Sequence, residues 1–221
     1  MRAAGPAASV PIASFLALAL LAATTVPAAE AEKPPAPDAI QPEEYAVYRV
    51  ALSRWLQGGR AKLVVIRQDT RWSKRERKLF EKDDQKFVPA EESYKAAMTL
   101  PRDLREDFVL KNTKFPAKLG WDLDLDVDYT FATAEQLASI FGHPSERGET
   151  VDDQWNRFYA KYPESRGLLT VSRVGFNKAG DQALVEIGSH SGALAAGGTL
   201  LLLAKEKGAW VVKKRFWLWA S

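Results

Sequence analysis

The chain has 221 residues, 46% of them apolar and 27% charged, with a formal net charge of +3 and no cysteine. That composition is globular and excludes collagen-like, coiled-coil and mostly disordered chains. The missing cysteines exclude a disulfide scaffold, a thiol nucleophile and any Cys-bearing zinc site, and two histidines leave little for a His-rich metal centre.

Residues 1–31 read as a secretory signal peptide. Arg2 is the only charge before Glu30, and the apolar run Val10–Ala23 has the length of an h-region and is short for a bilayer span. Small residues follow, and cleavage after Ala28 or after Ala31 fits the pattern. The expectation is export to a periplasm or outside the cell, with no transmembrane segment after signal removal. Residues 32–41, with Pro34, Pro35 and Pro37, read as a Pro-rich linker, and 42–221 as a single domain.

Pro42 opens a helical pattern that closes before Gly58-Gly59, with Tyr45, Tyr48, Leu52, Trp55 and Leu56 on one face. Leu63-Val64-Val65-Ile66 reads as a short buried strand. The run 67–82 carries Arg67, Arg71, Lys74, Arg75, Arg77, Lys78 and Lys82 among interspersed acids. It suits a solvated face, or a patch for an anionic envelope component. Residues 71–89 are otherwise irregular. Two short helices are expected at 90–99 and 102–111, separated by Pro101.

Trp121–Tyr129 alternates strictly, with Asp122, Asp124, Asp126 and Asp128 on one side. This predicts a strand with a carboxylate face. Such a row has the chemistry to bind a hard cation, with Glu135 in the register of a bidentate calcium ligand, but Tyr129 stands where that loop requires glycine. No metal is therefore expected. Thr133 and Gln136 form a capping box before Leu137, Ile140 and Phe141. A further helix at 151–162 carries Trp155, Phe158, Tyr159 and Tyr162 at helical spacing.

From Gly167 the period becomes two. Leu168–Phe176, Ala183–Ser189, Thr199–Lys205 and Trp210–Ala220 read as four strands joined by short turns, hence an antiparallel meander. The last strand is apolar on both faces and is expected to be central or covered. Helices first and strands last predict an α+β fold, with the helices on one face of a curved antiparallel sheet.

Catalytic motifs are absent. Gly188-Ser189-His190-Ser191-Gly192 places His190 where a nucleophile elbow needs serine. No phosphate loop, dinucleotide fingerprint or zinc motif is present, so no cofactor is expected. The candidate ligand-binding residues are Arg173, an inward-reading charge in an apolar strand; Trp155, from the aromatic stripe; Asp69, past the end of the first strand; and His190.

The block Tyr162-Pro163, Ser172–Asn177, Ala183-Leu184-Val185, Gly192, Leu194, Gly197-Gly198 and Gly208–Val212, with Trp219 and Ser221, resembles a family of uncharacterised exported bacterial proteins. The Tyr45–Leu56 and Leu63–Thr70 segments are similar as well. Cysteines are frequent in that family's glycine-rich turn, where this chain has Ser191 and Ala195. The resemblance implies no activity, and its layout is similar to cone-shaped folds of the nuclear-transport-factor-2 (NTF2) or cystatin kind. The expected function is binding of a small molecule or of an envelope or secreted protein, not nucleic acid. The alternatives are a hydrolase or isomerase using a pocket carboxylate as general base, and envelope docking through the basic run.

Overall fold

The computed structural model describes residues 39–57, 62–72, 95–97, 99–120, 123–142 and 148–220. The expected signal and most of the expected linker, His143, and the basic residues from Lys74 to Lys82 lie outside them. Among the described residues, no helix is long and apolar enough to cross a membrane.

The described residues form, in chain order, α1 (Pro42–Leu56), β1 (Leu63–Arg67), α2 (Arg102–Lys114), β2 (Asp128–Ala132), α3 (Ala134–Phe141), α4 (Val151–Lys161), β3 (Ser165–Val171), β4 (Gly175–Phe176), β5 (Gln182–Gly192), β6 (Ala195–Glu206) and β7 (Ala209–Ala220). Of the helix expected at 90–99, residues 95–97 are helical among those described. The fold is α+β, and the seven-stranded sheet is open, in the order β2-β1-β3-β5-β6-β7 with β4 paired to β5.

The sheet corrects the expected meander in three ways. It is mixed: β1 pairs parallel with both β2 and β3, while β3, β5, β6 and β7 pair antiparallel. Parallel strands need a long crossover, and here α3 and α4 form it between β2 and β3, passing over β1. The strand expected over 168–176 is broken into β3 and β4 around the irregular segment Ser172–Val174. The last strand, β7, is an edge strand rather than a central one. Phe216 and Leu218 are buried, but Trp217 is 57% exposed.

Helices also occupy both faces, not one. The α1 residues Tyr45, Tyr48, Ala51 and Leu52 pack on Val64, Ile66, Leu169, Val171, Val185 and Leu201. On the opposite face α2 sets Leu104 and Phe108 against Leu184, Leu200, Phe216 and Leu218. Further along that face, α3 and α4 set Leu137, Ile140 and Phe158 against Val65 and Leu168. Neighbours such as Leu184 and Val185 thus serve different cores, as the two-residue period of a strand requires.

Of the expected aspartate strand, Trp121 and Asp122 lie outside the described residues, and 123–127 are not strand. β2 begins only at Asp128, and Asp124 has φ 47°. The alternation is real in burial, because Leu123 is buried while Asp124, Asp126 and Asp128 are exposed. The apolar residues of this extended segment pack on the α1 face, and Asp124 pairs with Arg49 at 3.1 Å.

Candidate functional site

The helix pair that crosses β1 is fixed by its caps and by contacts between the helices. The Thr133 and Gln136 side chains close the capping box of α3, and Thr150 with Asp153 does the same for α4. Arg157 Nη2 donates to the Ile140 carbonyl at 2.7 Å, and Gln154 Nε2 to that of Gly142 at 3.3 Å, tying α4 to the end of α3. Tyr159 OH donates to the Ser191 carbonyl at 2.9 Å, anchoring α4 to the end of β5.

Between this helix pair and the middle of the sheet lies a cavity of about 640 Å³. Its roof is Ala134, Leu137, Ala138 and Phe141 of α3 with Trp155 of α4. The Trp155 ring meets Phe141 at 5.0 Å and Phe158 at 5.2 Å between centroids, so it is held edge-on within an aromatic cluster. The floor comes from alternate residues of adjoining strands: Arg67 of β1, Leu168 and Thr170 of β3, and Glu186, Gly188 and His190 of β5. Arg71 and Trp219 complete the wall.

One row of the sheet explains why the floor is low. Thr170 pairs with Gly188, Gly188 with Gly198, and Gly198 with Trp219. Two glycines therefore stand side by side at its centre. A Cβ on Gly188 would collide with Thr170 Oγ1, and one on Gly198 with the Trp219 indole. Thr170 and Trp219 lean into space that side chains would otherwise fill. The glycine-rich stretch from Gly188 to Gly198 thus serves as a depression in the sheet as well as a turn.

Trp155 and His190 meet in this cavity, and the His190 ring lies 5.8 Å from that of Trp219. Asp69 sits just outside, its backbone in an isolated antiparallel β-bridge with Lys118, with Oδ2 3.9 Å from Arg67 Nη2. Arg173 is not on the cavity wall. It is fully buried, and its guanidinium donates to both Glu44 carboxylate oxygens and to the carbonyls of Phe115 and Ala39. Burial would lower the Arg173 pKa, but hydrogen bonds to Glu44 and its charge outweigh that and leave it raised. Asn112 binds the Arg173 backbone through both N–H and C=O. Arg173 thus fastens α1, α2 and the chain before α1 together.

Sequence reasoning did not single out Glu186, Thr170 or Gly188 for the site. Arg67 and Arg71 figured only as members of a charge run. Glu186 had a signal: it is the one charge in the strand Ala183–Ile187, on the same face as Gly188 and His190. Glu186 is 5% exposed. Among the described residues, no group of three or more His, Asp or Glu side chains is placed to hold a metal ion.

No protein-family model, curated protein or solved structure matches this chain.

Proposed function

We propose that this is an exported binding protein that takes a small, largely apolar molecule into the cavity between the α3–α4 pair and the sheet. The observation that carries this reading is the cavity itself. Its volume of about 640 Å³ falls in the range of roughly 300–1,000 Å³ typical of small-molecule sites, and an apolar wall with a few convergent polar groups is what such sites present. The signal-like pattern of residues 1–31 supports export.

The test is fluorescence titration with the neutral probe N-phenyl-1-naphthylamine. Saturable enhancement is expected, and Ala138→Trp should abolish it. Ala138 is exposed on α3 and lines the cavity, so a bulky residue there blocks the space without disturbing the core. No saturable enhancement, or enhancement unchanged by Ala138→Trp, would overturn the reading.

A second reading, a hydrolase or isomerase with a carboxylate base, is favoured by one observation. Glu186, buried in the floor that Thr170 and His190 also line, is the only carboxylate among the described residues that line the cavity. Under that reading, Glu186→Gln binds ligand but does not turn it over.

A further inference from the structure

The cavity wall carries two guanidinium groups, Arg67 and Arg71, against one carboxylate, Glu186. Arg67 closes β1, and its side chain is only 21% exposed. Its Nε is buried and has no hydrogen-bond partner among the described residues. The Asp69 carboxylate, at 3.9 Å, is beyond hydrogen-bond range. Burial and the neighbouring Arg71 charge both depress the Arg67 pKa, and Asp69 only partly offsets them. A buried donor without an acceptor is costly, the more so on a charged group. Arg67 Nε thus lacks an acceptor and Arg71 is exposed, so the two arginines form a cationic corner at the edge of a cavity whose remaining wall is mostly apolar and aromatic.

We propose that Arg67 and Arg71 clamp the carboxylate of the ligand, whose flat apolar body lies against Phe141, Trp155 and Trp219. This rests on the cavity being a ligand site, as argued above, and adds the chemical class. The planar guanidinium fork matches a carboxylate with two parallel hydrogen bonds. Glu186 and Asp69 offset part of the arginines' charge, so the corner suits a single negative charge better than a doubly charged phosphate.

The test is calorimetric titration of the full mature protein, at low salt and pH 7.5, with 2-naphthoate, its neutral methyl ester and 2-naphthyl phosphate. Naphthoate is expected to bind about tenfold or more tightly than the ester, as a charge-assisted hydrogen bond implies, and more tightly than the phosphate. Arg71→Gln, at an exposed residue, and Arg67→Gln should each remove most of that preference, read as the ratio of acid to ester affinity within each variant. Arg67→Lys, which keeps charge but loses the fork, should retain part of it. Ester and acid binding equally would overturn the carboxylate clamp and leave the cavity proposal standing. Phosphate binding tighter than naphthoate, or a preference that survives both glutamine variants, would also overturn the clamp. Failure of all three compounds, together with failure of N-phenyl-1-naphthylamine, would overturn both.

Discussion

Glu44 and Arg173 lie 129 positions apart in the chain and meet as a fully buried, two-pronged ion pair. Nε donates to Oε2 at 2.9 Å and Nη2 to Oε1 at 2.7 Å. The same carboxylate accepts the Val174 backbone N–H at 3.1 Å, and Tyr48 OH donates to the Ser172 carbonyl at 2.8 Å. The irregular segment between β3 and β4 is therefore held by α1 as well as by β5, where Ser172 N–H donates to the Glu186 carbonyl at 3.0 Å, and by Asn112 of α2. Removing one partner strands a buried charge, which costs about 3–5 kcal/mol. Urea unfolding of Arg173→Met and of Glu44→Leu should each show a loss of that order. The double variant should lose clearly less than the sum of the two. Strictly additive losses would mean that the pair is not coupled.

Helix α2 crosses β4 at Gly175 with no room for a side chain. A Cβ there would lie 2.5 Å from the Phe108 Cα. The obstacle is helix backbone, so α2 has to retreat. Gly175→Ala should destabilise by about 1–3 kcal/mol, the usual cost of overpacking, read from thermal or urea denaturation. An unchanged midpoint would show that α2 can shift freely.

Neighbouring aromatics on the edge strand β7 should behave oppositely. Phe216 is 1% exposed and packs with Phe108, Leu184 and Leu200. Phe216→Ala should cost about 3–5 kcal/mol. Trp217, on the other face, should be replaceable by Ala within about 0.5 kcal/mol. A large loss at Trp217 would mean that its face of the edge is covered in solution.

The Glu43 carboxylate accepts hydrogen bonds from Lys205 Nζ at 2.7 Å and Trp210 Nε1 at 2.6 Å. The Lys205 contact leads in holding its pKa below the ordinary 4.5, against the opposing effect of burial. A group whose pKa is lowered by folding contributes stability above its unfolded value and loses it as pH falls through the folded value. Glu43→Gln should therefore flatten the fall in Tm as pH drops from 4.5 through the folded value. Parallel Tm curves for the two proteins would rule out this contribution.

Local patterns carried well where one element settles its own fate. Pro42 and the Tyr45–Leu56 spacing mark α1, Thr133 and Gln136 mark the start of α3, and the turns at Gly192 and Gly208 mark the β5–β6–β7 hairpins. The alternation over 123–127 is a true burial signal and a false strand signal, because exposed carboxylates alternate with apolar residues in any segment that lies on a core. The site was half legible. Trp155 and His190 could be named from the sequence, but the glycine row that makes room beside them could not, since it depends on cross-strand register.

The amino-acid sequence by itself determined the four described helices α1–α4 and most of the described strands, because burial periodicity is a property of consecutive residues. Only the tertiary structure decided that β1, β2 and β3 run parallel, that β7 is an edge, that Arg173 is spent on Glu44, and that Arg67 faces a cavity. Each of these depends on which distant segment lies alongside. Chain closure over a hundred or more residues is set by the combined packing of both sheet faces, and no local pattern records it.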